Sequence, residues 1–258
     1  MHSDAKVREV FDLIRLGFSQ AEIARRAGVN RERVRAWQRL GIDAALSTPM
    51  RTRAARPPHD VAGCDEMANV PIGPYAYLLG QYLGDGCIST YVRGNPKLRI
   101  ATCDDYPAVR AECIAAIRAV APASGVSVIQ RQGCSEVAVA SVHWPCLFPQ
   151  HGAGVKHSRP IVLDAWQRRF ALEIRPDLLV RGLIHSDGCR VWNRVVTRGK
   201  RYQYLRYFFT NESSDIRYLF LDACARLGVD ARHNNRNTIS VARRDSVAIL
   251  ERIVGPKS

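Results

Sequence analysis

Asp85 and Asp187 each close an apolar run and stand directly before a glycine. The two runs, Leu78-Leu79-Gly80-Gln81-Tyr82-Leu83-Gly84-Asp85-Gly86 and Val180-Arg181-Gly182-Leu183-Ile184-His185-Ser186-Asp187-Gly188, repeat one pattern. They lie about one hundred residues apart, which is the spacing of two domain halves and too long for a solenoid repeat. A duplicated helix that carries an acid to its own C-terminal end predicts a two-fold site with one carboxylate from each half. Such carboxylates face the negative end of a helix dipole, which disfavours each by roughly 0.3–1 kcal/mol, and they repel one another. A divalent cation relieves both costs. Hard oxygen ligands favour magnesium, with manganese as its substitute.

The small residues of each run state how the helices must meet. Gly80 and Gly84 are four apart, and Gly182 and Ser186 repeat that spacing. A face of small residues lets two helix backbones approach closely, so these four are read as the helix-packing face. If the helices pair through it, Asp85 and Asp187 come side by side. Gly86 and Gly188 are expected to stop their helices in the left-handed conformation that other residues resist.

A site of this kind suits a polyanionic substrate, and the composition agrees. The 258 residues include 38 Lys+Arg against 24 Asp+Glu, a formal net charge of +14, and 47% are hydrophobic. That apolar content excludes a disordered chain, and the basic excess points to nucleic acid. Eight cysteines occur without a Cys-x-x-Cys pair, the pattern of reduced intracellular thiols. No run approaches the ~18–20 apolar residues that span a bilayer, so no membrane partner is expected. The reading places the protein in the cytoplasm, associated with a bacterial nucleoid.

Residues 1–42 are read as a small all-α helix-turn-helix domain. Val7, Val10, Phe11 and Ile14 recur at helical spacing, Ser19 with Glu22 suits a capping box, and Gly28 marks a turn. Asn30 can cap a third helix that turns Val34 and Trp37 inward. Its outer face would offer Arg31, Arg33, Arg35, Gln38 and Arg39 to a DNA groove. Residues 43–72, with Pro49, Arg51, Arg53, Arg56, Pro57 and Pro58, are read as a basic, extended linker.

From residue 73 two halves run in parallel, 73–160 and 161–258. After Asp85-Gly86 strands are predicted over 87–92 and 97–102, a helix over 106–120, and strands over 126–131 and 136–142. A helical segment follows Trp144, and another spans 161–172. After Asp187-Gly188 the order recurs, with strands at 189–197 and 202–210, a helix at 214–227, strands at 229–233 and 237–242, and a helix from Arg244. Alternation sorts the strands into faces. Arg190, Trp192, Arg194 and Arg198 share one side against Val191 and Val195. Lys97 and Arg99 alternate with Leu98 and Ile100, and Leu205, Tyr207 and Phe209 with Tyr204, Arg206 and Phe208. One apolar face under helices and one basic, aromatic-dotted face make a duplex-binding sheet.

Helix, Asp-Gly, then strand-strand-helix-strand-strand-helix, twice over, resembles the LAGLIDADG (DOD-type) homing endonucleases in their single-chain, two-repeat form. The resemblance covers about residues 73–256 and leaves the helix-turn-helix outside. Gly80, Asp85 and Gly86 match the nine-letter motif in the first copy, and Gly182, Leu183, Ile184, Asp187 and Gly188 in the second. Leu83 and His185 replace its sixth-position acid. The resemblance implies an α+β fold of two pseudo-symmetric αββαββα repeats that form a DNA-binding saddle, in a monomer. It implies Asp85 and Asp187 as catalytic, metal-binding carboxylates, with the carbonyls of Gly84 and Ser186 as secondary ligands. The implied activity is magnesium- or manganese-dependent hydrolysis of both strands of double-stranded DNA across a narrowed minor groove, leaving short 3′ overhangs. Lys97, Gln130, Lys200 and Arg232 are candidates for the basic or polar groups around such a site. His185, two places before the acid, is a candidate proton relay or a packed helix residue.

Two alternatives stand beside the nuclease. A transcription regulator built on the same fold with catalysis lapsed would also carry a helix-turn-helix, and an RNA maturase would also be basic. Retention of both acids favours the nuclease, because a pure DNA-binder gains nothing from two carboxylates beside phosphates.

Overall fold

The computed structural model describes residues 4–47, 64, 69–89, 94–197 and 199–255. They divide into two compact units, within residues 1–57 and 58–258.

The first unit is helical: α1 (Asp4–Arg15), α2 (Gln20–Ala27), α3 (Arg31–Leu40) and α4 (Ile42–Ser47). Ser19 Oγ accepts from the Glu22 amide and caps α2, and Asn30 Oδ1 accepts from the Glu32 amide at 2.7 Å and caps α3. Gly28, at φ 63°, makes the left-handed turn between them, a conformation that costs glycine little. Val7, Val10, Ile23, Ala27, Val34 and Trp37 form the core. The linker read from residue 43 begins instead with α4, which packs on α1 and α3 and buries Ala45. Most of the remaining linker lies outside the described residues.

The second unit is α+β and runs through one element order twice. The first half is α5 (Ile72–Asp85), β1 (Gly86–Ser89), β2 (Lys97–Cys103), α6 (Pro107–Val120), β3 (Val126–Arg131), β4 (Cys134–Ala140) and α7 (Trp144–Leu147). A connector holds a 3-10 turn at Lys156–Ser158 and α8 (Ala165–Arg168), which widens into a π-helix over Arg169–Ile174. The second half is α9 (Pro176–Asp187), β5 (Gly188–Thr197), β6 (Lys200–Thr210), α10 (Ser214–Arg226), β7 (Ala231–His233), β8 (Thr238–Val241) and α11 (Arg244–Val254). Each half makes an antiparallel four-stranded sheet, in orders β1-β2-β4-β3 and β5-β6-β8-β7. The repeat seen in sequence is therefore a repeat of topology. No helix among the described residues is long and apolar enough to cross a membrane.

One contiguous core joins the halves, with α5 and α9 at its centre. From Tyr75 to Leu83 every residue of α5 is buried, which is why the run lacks the one-sided pattern of a surface helix. Leu98, Ile100, Val137 and Val139 line the helix-covered face of the first sheet, and Tyr207, Phe209, Ile239 and Val241 that of the second. Phe209 stacks on Phe220 of α10 with ring centroids 4.4 Å apart.

Gly86 and Gly188 correct one expectation. They sit at φ −91° and φ −104° with extended ψ, because each helix passes straight into a strand without a left-handed turn. Space is what demands glycine there. A Cβ on Gly86 would lie 2.5 Å from Tyr82 Cα, and one on Gly188 would lie 2.7 Å from Ile184 Cα.

Candidate functional site

The site begins where α5 meets α9. A Cβ on Gly80 would fall 2.6 Å from the Leu179 carbonyl oxygen and 2.7 Å from the Leu183 nitrogen, and one on Gly182 would strike the Tyr77 carbonyl. The two backbones thus touch, and any larger side chain at either position would push them apart. Gly84 lies against the Ser186 side chain, and its missing Cβ would come 3.1 Å from Asp187 Oδ2. Ser186 Oγ turns back into its own helix, donating to the Gly182 and Leu183 carbonyls at 3.1 and 3.0 Å.

Each helix ends on its acid, Asp85 on α5 and Asp187 on α9. Asp85 is exposed and Asp187 half-buried. Asn211, just beyond β6, donates through Nδ2 to Asp187 Oδ2 at 2.6 Å and orients that carboxylate. A concavity of about 540 Å³ opens beside Asp187, lined by Gly84, Cys87, His151, Lys156, Asp187 and Asn211 among others, with Asp85 outside its lining.

Lys156 reaches into this concavity and was not anticipated from sequence. Its Nζ donates to three carbonyl oxygens at the end of α5: Tyr82 at 2.6 Å, Gly84 at 2.5 Å and Gly86 at 2.8 Å. The ammonium also stands 5.3 Å from the Tyr82 ring centroid, a cation–π distance. Burial pushes its pKa down to about 8, against the pull of Asp187 and Asp85, which favour the charge. The loop that carries it is stapled by Arg159, whose guanidinium donates to the carbonyls of Gln150, Ala153 and Gly154. One signal was available. The chain has 33 arginines but only five lysines, and a compact ammonium with three rotatable donors fits a ring of carbonyls that a planar guanidinium does not.

The donor set can be weighed against a divalent cation. Among the described residues no three His, Cys, Asp or Glu side chains cluster as a metal site. Two carboxylates with the Ser186 carbonyl nevertheless suit one magnesium ion, which keeps several waters and takes one or two protein carboxylates. The Gly84 carbonyl, expected as a second metal ligand, is already engaged by Lys156.

His185 faces away from the acids. Its Nε2 lies 3.1 Å from the Val254 carbonyl and its Nδ1 3.0 Å from the Tyr77 hydroxyl, and the ring is buried. A carbonyl only accepts, so Nε2 carries the proton and Nδ1 accepts from Tyr77, whose oxygen in turn accepts from Gln81. It is a packed helix residue rather than a relay.

Residues directly opposite in a ladder share a face, and this settles where the basic side chains lie. In the first sheet Lys97 and Arg99 stand on the open face, opposite Ala140 and Ala138. Arg99 pairs with Glu136 there at 3.3 Å. Gln130, expected beside them, is opposite buried Ser135 on the helix side and bonds Asp104, which also holds Arg110 of α6. Its alternation with Val128 and Val126 carries it to that face.

In the second sheet the face expected to be basic is reversed. Arg190 is opposite Tyr207 and Arg194 opposite Gln203, so both belong to the helix-side face. Arg190 there makes a two-pronged pair with Glu251 of α11, at 2.7 and 2.9 Å. Both faces of this hairpin carry apolar residues, Trp192 and Leu205 on one and Val191 and Val195 on the other, so alternation alone could not tell which one the helices cover. Arg198 lies outside the described residues. The open face carries Asn193, Tyr202, Tyr204, Arg206 and Phe208. Arg206 Nε donates to Ser240 Oγ at 2.7 Å, and its guanidinium carbon lies 4.9 Å from the Phe208 ring centroid. Arg232, opposite Ser240, lines a second concavity of about 520 Å³ with Arg206 and Arg243. Lys200 is exposed at the far end of the β5–β6 hairpin. In the first unit Arg31, Arg33, Arg35, Gln38 and Arg39 are all exposed on α3, with Gln38 accepting from Gln20 at 2.7 Å.

No family model and no curated protein matches the chain. Among solved structures, the homing endonuclease I-DmoI in complex with DNA and Mn is similar over 72% of this chain and 98% of that chain, at 15% identity and a TM-score of 0.44. The N-terminal LAGLIDADG domain of DUF199/WhiA is similar over 74% and 89%, at 12% identity and a TM-score of 0.44. The LAGLIDADG meganuclease I-AabMI bound to uncleaved DNA is similar over 69% and 83%, at 10% identity and a TM-score of 0.44.

Proposed function

We propose that this chain is a double-stranded DNA endonuclease of the LAGLIDADG homing type, in which one polypeptide supplies both pseudo-symmetric halves. The observation that carries the proposal is the contact of α5 and α9 through Gly80 and Gly182. It pairs two helices that each end in an aspartate, and both carboxylates act electrostatically on Lys156. Stability alone gives no reason to build such a place, since both acids sit at negative helix ends.

In this reading Asp85 and Asp187 hold magnesium or manganese with the Ser186 carbonyl. A divalent ion, when bound, supplies Lewis-acid polarisation of the scissile phosphate and a more acidic water. Asn211 fixes the rotamer of Asp187 through its 2.6 Å bond. Lys156 contributes a fixed positive charge beside both acids. Lys97 and Arg99 on one open face, and Arg206, Arg232 and Lys200 on the other, contact the duplex backbone and base edges. The first unit acts as a helix-turn-helix that lays α3 on DNA and adds avidity through its tether.

Incubating the purified chain with magnesium and a plasmid library carrying the host locus tests this. The expected result is a double-strand break at a defined sequence, lost by at least about a hundredfold in Asp85→Asn and Asp187→Asn, with DNA binding retained. Sequence-specific binding without cutting under any divalent metal would leave the second reading, a DNA-binding regulator on the same fold. Engagement of the Gly84 carbonyl by Lys156 is the observation that favours that alternative.

A further inference from the structure

We propose that the helix-side face of the β5–β6 hairpin, beyond the reach of the helices, is a second nucleic-acid surface that holds a single strand by stacking a base on Trp192. The outer part of this hairpin leaves its sheet. Strand β8 pairs only with Tyr207–Thr210 of β6, and β5 is the edge strand. The seven pairs from Val191–Arg206 out to Thr197–Lys200 thus form a two-stranded arm, about 20 Å long at ~3.4 Å per residue. Helix cover stops at its root, where Arg190 and Tyr207 bond Glu251 of α11 and Leu205 packs on the core. Past that point the ladder register puts Trp192, Arg194, Val196 and Arg201 on one face. Trp192 is 57% exposed, Val196 69%, and both arginines are exposed.

Charge selects the occupant. Residues 188–211 hold six Lys or Arg and no Asp or Glu, so a second copy of the arm is repelled and a polyanion is attracted. Guarding an edge strand against aggregation accounts for arginines on such a ribbon, but not for an exposed tryptophan among them. A flat indole with guanidinium groups on its own face is a stacking platform. The ring takes a base, whose π-face is available whatever the sequence, and the arginines take the neighbouring phosphates. A duplex keeps its base faces inside the stack, so the platform serves an unpaired strand. The open face of the same arm is built differently. There Asn193 donates to the Tyr204 hydroxyl at 2.6 Å and Arg206 is held by Ser240. The surface around Trp192 owes nothing to the acid pair, so it stands or falls apart from cleavage.

The test titrates the full-length chain with fluorescein-labelled oligo-dT and oligo-U of about twelve nucleotides, with unlabelled duplex in excess, and reads anisotropy. Wild type is expected to bind the single strand in the presence of duplex. Trp192→Ala should weaken that binding about tenfold, the effect of losing one stacked base, and Trp192→Phe should recover most of it. Duplex affinity, measured separately, should not move. Replacing Arg194 and Arg201 together by alanine should flatten the single-strand salt slope by about 0.7 for each phosphate released. Binding of both oligonucleotides supports a surface that stacks any base, and binding of oligo-U alone makes the occupant RNA. Failure of the wild type to bind either one, or equal affinity in Trp192→Ala, would overturn the proposal. So would capture of phosphatidylglycerol vesicles through Trp192 without oligonucleotide binding, which would give this face to an anionic lipid surface.

Discussion

The guanidinium of Arg181 grips the carboxylate of Glu112 with two bonds, Nε to Oε1 at 2.6 Å and Nη2 to Oε2 at 2.7 Å, and so ties α9 of the second half to α6 of the first. Its remaining Nη1 donates to the carbonyls of Ile253 and Val254, at 2.8 and 2.6 Å, and caps α11. His185, one turn further along α9, bonds the same Val254 carbonyl. Three helices are thereby fixed around the segment that ends in Asp187. The pair is a quarter to a third exposed, so its removal should cost less than the loss of a fully buried one. Glu112→Ala is expected to destabilise the second unit by about 2 kcal/mol. Urea unfolding checks this, and a loss below about 0.5 kcal/mol would show that the grip is ornamental.

Gly80→Ala probes the contact on which the site depends. The added methyl meets the Leu179 and Leu183 backbone, which unlike a side chain has no rotamer to yield. The expected cost is about 3 kcal/mol or more, the upper range for overpacked cores, together with loss of metal binding as the acids separate. Thermal unfolding and Mn2+ titration on the same sample read both effects. A variant as stable as the wild type would mean that the helices are not held at this distance.

The helices, their acids and their small faces were legible because each depends on local chemistry: apolar runs, a stop, a spacing of four. Three features were not. Gly86 and Gly188 looked like left-handed caps, yet what excludes a side chain there is the previous turn of the same helix, which only the folded chain reveals. Arg190 looked like part of a basic face because period-two alternation gives the parity of a strand but not which parity the helices cover. Lys156 lies about seventy residues from Asp85 in a loop without periodicity, and its role arises from three carbonyl oxygens that every residue type possesses.

The pH dependence of stability should reveal the α11 anchor. The Arg190 hydrogen bonds hold the Glu251 carboxyl below its usual range, with a further bond from the Tyr207 hydroxyl. A lowered carboxylate contributes stability that is present above the unfolded pKa and is lost as pH falls through the folded one. Glu251→Gln should therefore unfold more easily than wild type at pH 7, by about 0.5–1 kcal/mol for a partly exposed pair. The gap should close once the pH is below the folded carboxyl's range. A gap of unchanged size at acid pH would contradict the assignment.

The arginines of α3 make a prediction about salt. If they lie along phosphates, replacing Arg35 and Arg39 together by alanine leaves up to two phosphates without their cation. The slope of log K against log salt should then flatten by about 0.9 for each phosphate no longer neutralised, while cleavage chemistry at saturating protein is unchanged. A slope identical to that of wild type would take α3 off the DNA.

Arg206 and Arg190 give the sharpest test of the face assignment, because they sit on neighbouring strands with opposite parity. Arg206 is held on the open face by Ser240 and lies near the Phe208 ring, so its side chain is set in place before any ligand arrives. Arg190 is committed to Glu251 on the helix side. Arg206→Ala should weaken DNA binding by about 1–3 kcal/mol if it reads a base edge, with little change in unfolding. Arg190→Ala should do the reverse, lowering stability by about 0.5–1 kcal/mol and leaving affinity nearly intact. Fluorescence anisotropy with a bound duplex and urea unfolding, run on both variants, separate the two effects. If Arg190→Ala loses affinity and Arg206→Ala does not, the duplex lies against the other side of the hairpin and the open faces are not where DNA binds.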